Sequence, residues 1–152
     1  MLDHRAAVLG GHESGQDHLA LYLYNGPEYL EATFASFKQR AVPVNVNYRY
    51  TDAELSYLLD NSDAAAVIVD DSFVDNVVRL LPDLPQVRLV VRVGGTGPLP
   101  IAEGVTFVDH EDAIAGAAPA PRIERSPDDL WFLYTGGTTG MPKGVMWPHR
   151  SL

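Results

Sequence analysis

The stretch LALYLYNGPEYLEATFASFKQRAVPVNV, residues 19–46, decides the fold class. Residues 19–24 are an apolar, aromatic run that predicts a strand. Asn25 follows at a capping position, with Pro27 in the tolerant first turn and Glu28 three residues after Asn25, so a helix is expected to start here. Leu30, Phe34, Phe37 and Ala41 recur at i, i+4, i+7 and i+11, one face of that helix. Residues 42–46 then read as a second strand. Strand, helix, strand in one short run is the unit of a parallel sheet, because parallel neighbours need a crossover between them.

The alternation continues outward. Thr51-Asp52-Ala53-Glu54 has capping-box spacing, and Leu55, Leu58 and Leu59 follow on one helical face. Residues 65–69 are wholly apolar, as expected of a strand whose sheet is covered on both faces. Ser72 and Asp75 open a third helix with Phe73, Val77 and Leu80 inward, stopping near Pro82. Residues 87–93 predict another strand, with Arg88 and Arg92 toward its solvated side. Asp70 and Asp71 stand at the carboxyl end of a parallel strand, the edge where α/β proteins bind ligands, and helix capping is the simpler role for both. Tyr22, Tyr24, Phe34 and Phe37 read as core. The expected class is α/β, a parallel-rich, doubly wound sheet with flanking helices. Residues 1–112 carry the βα repeats, 113–127 a small, Pro-rich linker or surface loop, and 128–152 a strand followed by a glycine-rich loop.

Composition narrows the function classes. The chain has 152 residues, 46% hydrophobic and 20% charged, a globular balance. Lys and Arg number 11 against 20 Asp and Glu, for a net charge of -9, which disfavours nucleic acid and anionic membranes as partners. The absence of cysteine excludes disulfides, thiol catalysis and Cys-ligated zinc. No apolar run reaches the ~18–20 residues of a membrane span, and no signal-peptide pattern follows Met1, so a cytoplasmic location is expected. Among the histidines, His4, His12 and His18 lie in a polar stretch. His110 sits among Asp109, Glu111 and Asp112 as a solvated helix start rather than a metal ligand. His149 divides evenly between packing or capping and a site role.

Residues 135–144, TGGTTGMPKG, follow the strand predicted at 130–134 and carry the chemistry. Glycines let successive backbone N–H groups curl toward one anion, the threonine hydroxyls add donors, and Lys143 adds a full charge. Hydrogen bonds to charged groups contribute ~1.5–3 kcal/mol each, so a few of them hold a phosphate chain. The competing reading is a flexible Gly/Thr hairpin turn, which rarely also ends in Pro-Lys-Gly after a buried strand. The Walker A motif does not fit, because Pro142 precedes Lys143 and Gly144 follows it. A dinucleotide fingerprint does not fit either, for want of the third glycine.

Residues 134–145 resemble the phosphate-binding signature of the adenylate-forming superfamily, Tyr-Thr-Ser-Gly-Thr/Ser-Thr-Gly-x-Pro-Lys-Gly-Val. The match holds at every fixed position except Gly136, where serine is usual. Ser126-Pro127-Asp128-Asp129-Leu130, His149-Arg150, Asp17-His18-Leu19-Ala20 and Arg40-Ala41-Val42-Pro43-Val44-Asn45 also look like family context. The Gly136-Gly137 pair, Met141 and residues 45–50 are most similar to bacterial acyl-CoA synthetases; peptide-synthetase domains more often carry serine where Thr138 stands.

The resemblance implies that the chain is part of the large amino-terminal domain of an acyl-CoA synthetase. Such enzymes use Mg-ATP to convert a carboxylic acid, here a fatty acid, to acyl-AMP, which coenzyme A then intercepts. By the same resemblance Thr135, Gly136, Gly137, Thr138, Thr139, Gly140 and Lys143 would cradle the β- and γ-phosphates, with Thr135 nearest the nucleotide-bound Mg2+. Lys143 is read as neutralising charge, not as an acid or base, and no residue is assigned catalysis. The family's adenine pocket, metal-binding glutamate, ribose-binding aspartate and catalytic lysine lie well beyond this signature. The chain is therefore expected to be a fragment without ligase activity alone, prone to association through an exposed apolar edge. The alternatives are a nucleotide-binding or regulatory module, or a non-functional remnant that keeps only the loop.

Overall fold

The computed structural model describes residues 15–136 and 140–152, together with the backbone of two short strands, β1 (Val8–Leu9) and β2 (His12–Glu13), which pair antiparallel. The main body runs β3 (His18–Tyr22), α1 (Pro27–Lys38), β4 (Val42–Asn45), α2 (Asp52–Asn61), β5 (Ala64–Asp70) and α3 (Val74–Leu80). It continues with β6 (Leu89–Val93), β7 (Thr106–Asp109), α4 (His110–Ala115), β8 (Leu130–Thr135) and β9 (Lys143–Pro148). Seven of these strands form one sheet in the order β7-β6-β5-β3-β4-β8-β9. All neighbours are parallel except β8 and β9, which form an antiparallel hairpin at one edge. The doubly wound α/β reading holds: the chain steps from β3 to β4, then returns past β3 to build β5, β6 and β7.

Local sequence explains most of the elements. In α2 the capping box forms as spaced: the Glu54 N–H donates to Thr51 Oγ1 at 3.4 Å and the Thr51 N–H donates to Glu54 Oε2 at 2.9 Å. Leu55, Leu58 and Leu59 are fully buried beneath it. The apolar run of β5 is buried from Ala64 to Val69, as a strand covered on both faces requires. Asp70 caps the turn that follows, accepting the Ser72 N–H at 3.0 Å. Val77 is buried in α3, but Phe73 lies in a 3-10 turn before that helix and Leu80 is half-buried at its end. Residues 117–126 form neither helix nor strand.

Several expectations are corrected. α1 starts after Gly26 with no side-chain cap, so Asn25 does not cap it. Leu30 and Phe34 are each 58% exposed, and the buried positions of the helix are Ala32 and Ser36. Small residues let the helix approach the sheet closely, and the Ser36 hydroxyl is satisfied by the Ala32 carbonyl at 2.7 Å. Tyr22 is core as read, but Tyr24 is exposed, with its ring against Phe73 and Tyr48. Phe37 is half-buried against Trp131 and His149.

Arg92 does not face solvent. It is 4% exposed and bonds Asp109 through Nε (2.7 Å) and Nη2 (3.1 Å), and its Nη2 also donates to the Gly97 carbonyl at 2.7 Å. Asp71 lies 3.5 Å away, so its carboxylate serves this arginine rather than a helix cap. A Cβ at Gly95 would stand 2.5 Å from Arg92 Nε, so the glycine there is required by the packing of the guanidinium. Arg88 lies 4.0 Å from the buried Asp17.

His18, placed by sequence in a polar stretch, is buried. Its Nδ1 lies 2.6 Å from the Ser62 carbonyl, which can only accept, so the proton sits on Nδ1; its ring packs on Phe132. Burial lowers its pKa, outweighing the Ser62 bond and the nearby Asp63 and Asp17. The Asp129 carboxyl is pushed up by burial, but the Arg40 guanidinium and the Ser126 N–H outweigh that and hold it below the usual range.

Both groups have folded values below their unfolded ones, so each withdraws stability as pH falls. Melting temperature is expected to drop first below about pH 6.5, as unfolded chains take up a proton that buried His18 refuses, and again below about pH 4, as Asp129 loses its charge. Thermal melts across pH check this, and His18→Gln should remove the first drop while leaving the second.

Candidate phosphate-binding site

The loop sits at the turn of the β8–β9 hairpin. Register pairs Tyr134 with Gly144 and Thr135 with Lys143, so the first hydroxyl and the cation of the motif face each other across its mouth. Directly opposed residues of an antiparallel pair have Cβ atoms about 4.5–5.5 Å apart, close enough to contact one anion together. Thr135, Gly136, Gly140 and Lys143 are exposed. Gly137, Thr138 and Thr139 lie outside the described residues. The hairpin and phosphate-loop readings are thus compatible, since the hairpin supplies the frame that carries the loop.

Two glycines are used differently. Gly140 has φ +125, a backbone that side chains rarely adopt. A Cβ at Gly144 would stand 3.0 Å from the Tyr134 ring, so glycine there lets the tyrosine close over the hairpin. By contrast a Cβ at Gly136 meets nothing within 4 Å, so space does not dictate glycine where the family usually has serine.

β8 is placed largely by side chains. Its only registered pair with β4 is Phe132 with Val44. On either side of it, the Leu130 N–H donates to Gln16 Oε1 at 3.0 Å and the Tyr134 N–H donates to Asn45 Oδ1 at 2.8 Å. The Tyr134 hydroxyl donates to Asn61 Oδ1 at 2.8 Å, tying β8 to the end of α2, and burial raises its pKa far above the ordinary phenol value. At the start of β8, Asp129 is 2% exposed and takes Arg40 through Nε (3.1 Å) and Nη2 (2.9 Å). Arg40 holds φ +57 to do so, a conformation that costs roughly 1 kcal/mol outside glycine.

His149 opens a final 3-10 turn, its N–H donating to the Asp129 carbonyl at 2.8 Å and its ring standing edge-on to Phe37, a packing role. His110 begins α4 as read but is half-buried, 3.6 Å from Glu31. His4 and the side chain of His12 lie outside the described residues. Sequence reading missed β9 and the roles of Gln16 and Asn45; the lone asparagine closing the otherwise apolar β4 was the available signal for Asn45.

The residues suit an anionic phosphate chain. Lys143 has no carboxylate partner among the described residues, Thr135 presents its hydroxyl to solvent, and the space beside Gly136 is open. No helix among the described residues is long and apolar enough to cross a membrane, and no group of three His, Asp or Glu among them could hold a metal.

A glycine- and threonine-rich stretch beyond a strand of a doubly wound sheet is the kind of arrangement found in nucleotide-binding proteins. Residues 3–152 match the family of AMP-binding enzymes, and the chain belongs to it. It is 48% identical over 146 residues to the medium-chain acyl-CoA ligase Mig of Mycobacterium avium, covering 95% of this chain and 26% of that protein. It is 46% identical over 138 residues to the 3-oxocholest-4-en-26-oate–CoA ligase of Rhodococcus rhodochrous, covering 90% of this chain and 24% of that one. The crystal structure of the anthranilate CoA ligase AuaEII with anthranoyl-AMP aligns at TM-score 0.78 and 25% identity, over 89% of this chain and 25% of that one. The chain thus spans about a quarter of the relatives it matches.

Tyr134→Phe is expected to lower stability by about 1 kcal/mol, one hydrogen bond. Gly144→Ala should cost about 1–3 kcal/mol by overpacking against the ring, while Gly136→Ala changes little. Urea denaturation of the three variants measures both differences.

Proposed function

We propose that this chain forms the phosphate-binding part of an AMP-forming acyl-CoA synthetase, acting on ATP, a fatty-type carboxylic acid and coenzyme A in the cytoplasm. The observation that carries the reading is the register setting Thr135 opposite Lys143 at the mouth of the glycine–threonine loop. Thr135, Gly136, Gly140 and Lys143, with Gly137, Thr138 and Thr139 between them, would grip the β- and γ-phosphates that leave as pyrophosphate. Attack by the carboxylate on the α-phosphate breaks the bond to that pyrophosphate, so the loop's work is to hold and neutralise the departing charge. Magnesium, bound to the phosphates with Thr135 at its side, would supply further charge neutralisation.

The relatives support the acid–thiol ligase assignment by name, and the two quoted first act on medium-chain acids and on a sterol-derived acid. An apolar acid is the class these share. The division into βα repeats (1–112), connecting segment (113–127) and loop-bearing hairpin (128–152) serves one purpose in this reading: the repeats anchor a hairpin that presents the loop. The complete reaction belongs to the longer enzyme of which such a chain forms about a quarter.

Calorimetric titration with Mg-ATP tests the loop. Lys143→Ala removes one charged contact of ~1.5–3 kcal/mol, so Kd should rise by about tenfold or more. Equal affinity in the variant would remove Lys143 from the site and with it this account of the loop.

A further inference from the structure

We propose that a second anion site, separate from the phosphate loop, lies in the cleft between the end of α1 and the segment 119–125, and that it takes a phosphate group carried by a small molecule or a lipid. The cleft has a volume of about 430 Å3 and is lined by Lys38, Gln39, Arg122, Ile123 and Arg125 with the intervening prolines. Small-molecule sites fall in the range of about 300–1,000 Å3.

The distribution of charge singles it out. Of the 11 Lys and Arg, all but Arg5 are described. Arg40, Arg79, Arg88, Arg92 and Arg150 each have a carboxylate partner. Arg49 lies over the Tyr48 ring at 5.4 Å, and Lys143 stands in the loop. The remaining three, Lys38, Arg122 and Arg125, have no carboxylate partner among the described residues, and all three line this one cleft. In a chain with 20 acidic residues, three unmatched cations at one place leave a local charge that the protein itself does not neutralise. The nearest acidic residue in the segment, Glu124, acts on Arg40 and does not line the cleft.

The walls are also held. Arg40, two residues after Lys38, and Ser126, next to Arg125, both bond the Asp129 carboxylate, at 2.9 Å and 3.0 Å. That carboxylate ties the two walls at their bases, so an anion entering between them finds the cations gathered. Phosphate suits the set because guanidinium forks match its oxygens in pairs, while Ile123, 41% exposed, offers contact to an apolar substituent.

The test is residue-resolved NMR of the Lys143→Ala chain titrated with inorganic pyrophosphate, alongside sedimentation with phosphatidylglycerol and with phosphatidylcholine vesicles. Saturable amide shifts at Gln39, Ile123 and Arg125 are expected, and Lys38→Glu with Arg122→Glu and Arg125→Glu should weaken binding by at least about tenfold. These three side chains are exposed, and an unchanged melting curve confirms that the triple variant folds. Pyrophosphate binding identifies a soluble source. Binding only to phosphatidylglycerol vesicles, lost in the triple variant, identifies a lipid headgroup. Binding in neither arm, or binding that survives the triple reversal, overturns the proposal. The ligase reading is judged separately, on the Lys143 titration with Mg-ATP.

Discussion

One carboxylate holds the two halves of this chain together. Asp129 is buried at the foot of β8, where it gathers the Arg40 guanidinium and the Ser126 N–H while its backbone carbonyl takes the His149 N–H. Leaving such a group without its partners would strand a charge away from water, which is why the pair is costly to break from one side only. Its position matters because β8 has so little ladder of its own. The N–H groups that a longer β4 would have paired go to Gln16 and Asn45, whose side-chain carbonyls stand in for a neighbouring strand. Gln16 closes the arrangement by donating to the Arg40 carbonyl at 2.8 Å. The loop is thus aimed by polar contacts from the first half of the chain, added to the packing of Phe132 and Tyr134 in the main core.

Where local chemistry was decisive, the chain was readable. The capping box of α2 and its three leucines stand as their spacing implied, and so does the apolar run of β5. The reading went astray where tertiary contacts overrode local pattern. In α1 the periodic large residues mark the outer face, because Ala32 and Ser36 let the helix sit closer to the sheet than Leu30 or Phe34 would. Arg92 looked solvated because a lone strand shows nothing of Asp109, which joins it from the neighbouring strand β7. β7 is four residues long, and β9 carries Lys, Gly and Pro within six, so neither announced itself by pattern. The loop's residues were plain from sequence, whereas the cross-strand facing of Thr135 and Lys143 depended on the unrecognised β9.

The hairpin solves a problem that a purely parallel sheet would leave open. A loop after a parallel strand usually leads into a helix on one face, which fixes only one of its ends. Here both ends are strands in register, so the span between Thr135 and Lys143 is set by the ladder. Tyr134 adds a third constraint, its ring closed over Gly144 and its hydroxyl on Asn61. The width of the hairpin's mouth is therefore set at Thr135 and Lys143 by the ladder and by Tyr134.

The sequence separation of these contacts also orders the chain's folding. Asp129 finds Arg40 across 89 residues, and Leu130 finds Gln16 across 114, whereas β8 and β9 pair across a short loop. Loop-closure entropy grows with separation, so the local hairpin forms readily and its attachment to the sheet comes late. Both attachment partners, Gln16 and Arg40, flank β3 and α1, which precede β8 in the chain. A growing polypeptide therefore carries the anchor points of β3 and α1 long before it owns the hairpin to fasten there.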